Sequence, residues 1–308
     1  MFGFARYNYD QFQRQQLVKN FARTKFGHAP NPGSSAPDFE LRSLDGEKIR
    51  LSDFKHEKNV VLTFGSATCP QTAASISQLR ELEENFHDEG VQFLFVYTRE
   101  AHPGNRIPAH QSREDKVHAA EIFRDEEHIE FPILVDDLSG RTHRRYGSLP
   151  NPTFIIDTSG RVAFRSLASN TDRIEEALNE LLETQQNRGV EHAVVAGGED
   201  ASMPAVRMFM HAHRALSRGG QRSIRNFQNE LGMPARMAVT GGRLARPIAD
   251  HPGTTAATAL AVAGVLGLGL WIGRELRRRR FDQTPYRMHT VPRHGRQAGW
   301  DDYEAVGI

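Results

Sequence analysis

A short apolar run at residues 59–64 constrains the fold more than any other feature of this chain. It is nearly unbroken and rich in β-branched side chains, which is typical of a strand buried on both faces. Cys69 and Pro70 follow it, and residues 71–89 then repeat apolar side chains at helical spacing. The sequence therefore predicts an α/β fold in which Cys69 lies between a central strand and the first turn of a long helix.

Strand and helix patterns continue to alternate after this unit. The further predicted elements are strands at 91–97 and 132–135, a helix at 112–124, a hairpin at 153–164 and a closing helix at 172–186. Alternation followed by a terminal hairpin indicates a mixed central sheet flanked by helices. Because these elements end by residue 186, we expect them to fold without the residues that follow.

Breaks in the pattern divide the chain into five segments. A turn-rich joint at 30–35 precedes the sheet, and a region rich in Gly, Met, Arg and His follows the closing helix. The predicted segments are an N-terminal helical extension (1–32), the α/β sheet domain (33–187), a basic and partly helical connector (188–253), a transmembrane helix (254–273) and an arginine-rich disordered tail (274–308). In the first segment, we expect Phe12, Leu17 and Phe21 to line one face of a helix packed on the sheet domain.

Residues 254–273 contain no charged side chain, end near Trp271 and precede a run of arginines. Twenty such residues match the thickness of a bilayer, and Trp and Arg are typical anchors at its surface. We predict a single-pass C-terminal membrane anchor with the sheet domain in the cytoplasm, since residues 1–16 lack the pattern of an export signal. A buried soluble helix is the alternative, and the spacing of Gly269 and Gly273 leaves a homodimer open.

Composition excludes several classes of function. A net charge of +1 without a nucleic-acid module argues against a nucleic-acid partner. A single cysteine excludes an internal disulfide and a dithiol pair within the chain. Fourteen histidines are scattered without metal-ligand spacing, so we predict neither a metal nor another cofactor.

The position of Cys69 favours reactivity over its alternative role as a small buried hydrophobe. The unpaired N–H groups and the dipole at a helix N-terminus stabilise a thiolate, which is the nucleophilic form. No resolving cysteine is present, so an external thiol must complete any redox cycle.

The strand–cysteine–helix unit resembles the thioredoxin superfamily, and Pro152 with Thr153 matches the cis-proline loop of that fold. The lead-in at residues 36–41 is similar to that of redoxin and peroxiredoxin domains. Within the superfamily, Phe64-Gly65-Ser66-Ala67-Thr68-Cys69-Pro70 resembles the active-site segment of the iodothyronine deiodinases, with cysteine in place of selenocysteine. The segment at 95–103 resembles the same family's Glu-Ala-His motif.

This resemblance implies roles for particular residues. Cys69 would be the nucleophile, Glu100 and His102 would form a proton network beside it, and His118 is the match for a second family histidine. Three further residues fall where the family binds its substrate: Ser66, Thr68 and Pro152.

The chain departs from its possible families at several positions. Pro152 stands where the deiodinases carry an arginine that holds the iodothyronine, which argues against thyroid-hormone recognition, and the family's membrane helix is N-terminal. Leu62 and Ser66 occupy positions where peroxiredoxins have proline and threonine. Thr72 occupies the place of the second cysteine of dithiol thioredoxins.

We therefore predict a thiol-dependent oxidoreductase of the deiodinase-like or redoxin type. Its cysteine would attack a soft electrophile, namely an aryl halide, a peroxide or a disulfide, and a thiol reductant would regenerate it. The alternatives are a one-cysteine peroxidase similar to peroxiredoxins and a non-catalytic, membrane-anchored scaffold.

Overall fold

The computed structural model describes residues 7–24, 29–195, 197–202 and 205–249. The strands in this part of the chain are β1 (Glu40–Ser43), β2 (Lys48–Arg50), β3 (Asn59–Gly65), β4 (Val91–Tyr97), β5 (Ile133–Val135), β6 (Thr153–Ile156), β7 (Val162–Ser166) and β8 (Glu199–Asp200). The helices are α1 (Arg14–Arg23), α2 (Pro70–Phe86), α3 (Arg113–Glu127), α4 (Arg141–Arg145), α5 (Thr171–Arg188), α6 (Ala205–Gly219), α7 (Gln221–Leu231) and α8 (Met233–Ala249), with a short 3-10 helix at Leu51–Phe54.

The strands form one mixed sheet in the order β2-β1-β5-β4-β3-β6-β7-β8. Strands β3, β4 and β5 are parallel, and β6 runs antiparallel to β3 with Thr153 opposite Thr63. The predicted α/β architecture with a mixed sheet flanked by helices is confirmed. Because β3 lies in the middle, its C-terminal end carries Cys69 to the centre of the sheet edge.

Alternate residues of the central strands supply two apolar clusters on the two faces of the sheet. Phe93, Phe95 and Tyr97 of β4 belong to the cluster that includes residues of α2, α3 and α5, whereas Leu94 and Val96 belong to the other. All seven residues of β3 are buried. Burial on both faces explains why this strand reads as a continuous apolar run.

The N-terminal extension differs from its prediction. Helix α1 begins after Phe12, which is buried, whereas Leu17 and Phe21 on the helix are 36% and 46% exposed. The expected apolar face of 12, 17 and 21 is therefore wrong, because Phe12 precedes the helix and packs separately. Its neighbours there are Leu216 of α6, Phe227 of α7 and two residues of α8.

The region predicted as a connector packs on the sheet domain as far as the structure describes it. Helix α6 lies along α2, where Arg207 donates a hydrogen bond to Gln78 at 2.5 Å. Strand β8 adds to the sheet edge beside β7. Helix α6 thus covers a helix of the sheet domain, and independent folding of the residues up to 186 stays a prediction.

No helix among the described residues is long and apolar enough to cross a membrane. The predicted transmembrane helix at 254–273 and the tail at 274–308 lie outside the described residues.

Candidate active site around Cys69

Cys69 is the N-cap residue of α2 and follows directly from the loop that ends β3. Its N–H donates to the carbonyl oxygen of Ser66 at 3.2 Å, and its own carbonyl accepts from Ala73 at 3.0 Å. Pro70 occupies the first helical position, where the missing N–H costs nothing. The side chain of Cys69 is held at the predicted strand-to-helix junction, but the residue is only 2% exposed.

Burial changes the expected chemistry of the thiol. It raises the pKa of Cys69 above its ordinary value, although the N–H and hydroxyl of Thr72 and the N–H of Gln71 act in the opposite direction. The expectation that the helix N-terminus gives a net stabilised thiolate is therefore wrong for Cys69, because its side chain is buried. The helix N-terminus favours the thiolate as predicted, but loss of hydration outweighs it.

Glu100 organises the loop that carries Cys69. Its Oε2 accepts hydrogen bonds from the backbone N–H of Thr68 at 3.0 Å and from the Thr68 hydroxyl at 2.6 Å. Its Oε1 accepts from the hydroxyl of Tyr97 at 2.5 Å, and that same hydroxyl accepts from the N–H of Ala67 at 3.2 Å. One buried carboxylate thus fixes two consecutive peptide groups immediately before the cysteine.

The charge of Glu100 is stabilised within the site. Burial alone would raise its pKa, but the neighbouring His110 and the hydroxyls of Thr68 and Tyr97 outweigh burial and lower it. Glu100 is therefore an ionised hydrogen-bond acceptor at neutral pH.

His110, which the sequence reasoning missed, takes the place given to His118. Nε2 of His110 lies 3.3 Å from Oε1 of Glu100 with both side chains buried, although the contact lacks hydrogen-bond geometry. The side chain of His118 is 75% exposed on α3 and faces Glu121. The sequence did contain a clue to this placement, namely the N-cap at Ser112. A helix that begins there carries His118 away from the loop that contains Glu100.

His102 lies in an apolar enclosure. Its ring centroid is 4.3 Å from that of Phe12 and 5.0 Å from that of Phe227, and its Nδ1 is buried without a hydrogen-bond partner. Burial lowers its pKa to about 3, against the opposing influence of Glu100. The imidazole is therefore neutral, while its backbone N–H is held by the Thr68 hydroxyl at 3.0 Å.

The remaining predicted residues border the cysteine loop. Ser66 accepts a hydrogen bond from the N–H of Ala101 at 3.1 Å, which ties the cysteine loop to the Glu100 loop. Pro152 is buried, and its carbonyl accepts from the N–H of Phe64 at 3.0 Å. No peptide bond in the described part of the chain is cis, so the cis-proline expected at this position is wrong for this structure.

Residues from two segments outside the sheet pack against the site. In the N-terminal segment, the hydroxyl of Tyr9 donates to the carbonyl of Ala101 at 2.9 Å, and the ring of Phe12 packs against that of His102. In α7, Ser223 donates to the carbonyl of His102 at 2.7 Å. Sequence reasoning missed this packing, because no periodic pattern shows which surface a distant segment will contact.

A cysteine at the junction between the central strand and the first long helix, with a buried carboxylate holding its loop, is the arrangement of a thioredoxin-fold redox domain. Among the described residues, no group of three or more histidine, cysteine or acidic side chains has an arrangement that holds a metal.

The family model described as iodothyronine deiodinase matches residues 9–185, more than half of the 308 residues. The chain therefore belongs to the iodothyronine deiodinase family.

Individual relatives share parts of this region. Thyroxine 5-deiodinase of Gallus gallus is 34% identical over 142 residues, which are 42% of this chain and 54% of that protein. The thiol-disulfide oxidoreductase ResA of Bacillus thuringiensis subsp. konkukian is 28% identical over 151 residues, which are 48% of this chain and 78% of that protein. A putative thiol:disulfide interchange protein DsbE from Chlorobium tepidum covers 50% of this chain and 99% of its own length, at 23% identity and a TM-score of 0.41. The chain thus spans about half the length of the deiodinase it matches.

Proposed function

We propose that this protein is a thiol-dependent reductase in which Cys69 attacks a soft electrophile, with a halogenated phenol as the first candidate. The carrying observation is that Glu100 accepts hydrogen bonds from both the N–H and the hydroxyl of Thr68, the residue immediately before Cys69. These bonds fix the loop from which a nucleophile would act. Family membership supports the halogenated substrate, and the oxidoreductase relatives support the reductive chemistry.

The proposed reaction begins when the thiolate attacks the halogen. A sulfur–halogen bond forms, the carbon–halogen bond breaks, and the ring carbon takes up a proton. One external thiol then displaces halide from sulfur to give a mixed disulfide, and a second releases the Cys69 thiol and the oxidised disulfide. The net change reduces the carbon–halogen bond and oxidises two thiols to one disulfide.

Protons for this sequence are carried by groups around Glu100. Because Glu100 is ionised, it serves as the acceptor that orients the Thr68 and Tyr97 hydroxyls. We assign His110 as the residue that stabilises the charge of this carboxylate, since its Nε2 lies 3.3 Å away and it lowers the pKa of Glu100. His102, which is neutral, is suited to contact an uncharged or phenolic oxygen beside the sulfur.

A disulfide substrate is the second candidate. The ResA relative matches over 78% of its own length, and ResA is a thiol-disulfide oxidoreductase by name. Thr72 replaces the second cysteine here, so any such reaction would pass through a mixed disulfide that an external thiol resolves. Peroxides, which give a sulfenic acid on one cysteine, form a third test class.

Several features of the working protein belong to the same proposal. We propose that no cofactor takes part, that a thiol reductant and a small electrophile are the reaction partners, and that residues 254–273 anchor the protein in a membrane. Ser66, Thr68 and Pro152 would border the bound electrophile.

The test offers the full-length protein a hydroperoxide, a disulfide and an iodinated phenol in parallel, with dithiothreitol or glutathione as reductant. Turnover of the iodophenol supports the first candidate, and turnover of the disulfide alone moves the assignment to the second. The absence of thiol-dependent turnover in all arms would favour a non-catalytic scaffold. Comparing thyroxine with the iodophenol adds a check on Pro152, because a preference for thyroxine above about tenfold requires an anchoring group such as the missing arginine.

A further inference from the structure

Helices α6 and α7 meet at an elbow, residues 219–220, that lies directly on the loop carrying His102. A Cβ atom on Gly104 would lie 2.1 Å from the carbonyl oxygen of Gly219, and one on Gly219 would lie 2.8 Å from the carbonyl oxygen of His102. Two glycines therefore allow the two backbones to touch. The hydroxyl of Ser223 donates a hydrogen bond to the His102 carbonyl across this contact. This elbow lies beyond residue 185, where the family match ends.

Arg218, the residue just before the elbow, reaches further into the site. Its guanidinium is buried and uses three nitrogens on three acceptors: Nη2 pairs with Glu127, Nε donates to Glu126 at 2.6 Å, and Nη1 donates to the carbonyl of Ala67 at 3.3 Å. The N–H of Ala67 is bound by the Tyr97 hydroxyl. The residue two positions before Cys69 is thus held on its N–H side by the sheet domain and at its carbonyl by α6.

We propose that Arg218 is a positioning residue of the Cys69 site, so that the helices after residue 188 are a working part of that site. This inference rests on the proposed role of Cys69 as the nucleophile. Arg218 fixes the turn from which Cys69 projects. Burial and the charge of Glu100 raise the pKa of Tyr97, and the positive charge of Arg218 acts in the opposite direction. A buried ion pair is by itself weak evidence of a stabilising role. If Arg218 served only to pair with Glu127, its hydrogen bond to the carbonyl of Ala67 would not be needed.

Two variants separate positioning from stability. Arg218→Lys keeps a positive charge for Glu126 and Glu127, but one ammonium cannot reproduce a fork that reaches all three acceptors. Glu127→Gln removes the carboxylate and leaves the contact between Arg218 and Ala67 in place. Arg214→Ala is the matched control, because Arg214 pairs with Glu127 at 2.7 Å from the same helix and donates its hydrogen bonds to Glu126 and Glu127.

The first readout is the rate at which iodoacetamide labels the full-length protein, compared with its Tm. Cys69 is the sole cysteine, so labelling reports this residue alone. Loss of the hydrogen bond from Arg218 to the Ala67 carbonyl should let the turn before Cys69 open more often. Each variant is labelled at the same number of degrees below its own Tm. Under these conditions Arg218→Lys should label about tenfold faster than Glu127→Gln. Arg214→Ala should label at the wild-type rate. Equal labelling of Arg218→Lys and Glu127→Gln, whatever their Tm values, would overturn the proposal.

The second readout is turnover of whichever electrophile the wild type accepts. Arg218→Lys should lower kcat about tenfold with little change in KM, whereas Glu127→Gln should not. The two proposals fail separately. If Arg218→Lys labels faster but the wild type turns over none of the electrophiles, Arg218 holds the turn before Cys69 and the reductase proposal is rejected. If the wild type is active but the two variants label equally, the reductase proposal stands and the role of Arg218 is rejected.

Discussion

The sheet domain and the helices after residue 188 hold Cys69 by different means. The sheet presents the cysteine through two extensive apolar clusters, one on each face. The later helices share a small apolar cluster around Leu216 and Phe227, and they reach the site through polar contacts from Arg218 and Ser223. The comparison indicates that the sheet determines where Cys69 lies, while the later helices contact the loops on either side of the site, at Ala67 and His102.

Removing the later helices should have the largest effect. A chain ending at residue 188 keeps Phe12 but loses the later residues that bury it, and burial of such a side chain contributes about 1.5–3 kcal/mol. We expect its free energy of unfolding in urea to fall by at least about 1.5 kcal/mol, with much faster labelling of Cys69 by iodoacetamide. A chain ending at residue 249 keeps these later residues and is the control. Wild-type stability and slow labelling after the shorter truncation would show that the sheet domain needs no cover.

Glu100→Gln tests the sheet side of the comparison. The amide keeps the shape of the side chain but removes the charge that orients the Thr68 and Tyr97 hydroxyls. We expect kcat/KM to fall by about a hundredfold, as for loss of an acid–base group, with little change in far-UV circular dichroism. Glu114→Gln, at an exposed position on α3, should leave kcat/KM unchanged. A loss of activity equal in both variants would contradict the role of Glu100.

His110→Gln and His118→Gln form a direct pair. We expect the first to lower kcat/KM about tenfold and the second to have no effect. His110 helps to lower the pKa of Glu100, so its loss raises that pKa, and the acid limb of the pH–rate profile should move to higher pH. If the profile moves in His118→Gln instead, the family alignment is right and the geometric assignment is wrong.

A smaller effect concerns the pKa of Cys69. Burial raises it, so the rate of alkylation of the wild type should still be rising above pH 9. In the chain ending at residue 188 the thiol is better hydrated, and the midpoint should move to lower pH. The alkylation rate of the same truncated chain carrying Cys69→Ser is subtracted as background, which leaves the rate of the Cys69 thiol. Coincident profiles for the two chain lengths would mean that the later helices do not contribute to this burial.

The sequence predicted the elements that follow local patterns and missed the contacts that do not. Strand β3, helix α2 and the junction at Cys69 were predictable because apolar runs and helical spacing are local signals. The place of Glu100 near the cysteine followed from a resemblance, but its hydrogen bonds to Thr68 did not. The contact of Arg218 with Ala67 joins residues 151 positions apart. The burial that raises the pKa of Cys69 belongs to the tertiary structure, and no local pattern shows it.

The central claim is that Cys69 carries the chemistry. The most direct measurement is thiol-dependent turnover of Cys69→Ser beside the wild type, with the electrophile that the wild type reduces fastest. Serine preserves the N-cap position of α2, so the fold and Tm should be retained. The account predicts no turnover above the uncatalysed rate. A folded Cys69→Ser protein that keeps a substantial share of wild-type turnover would contradict it.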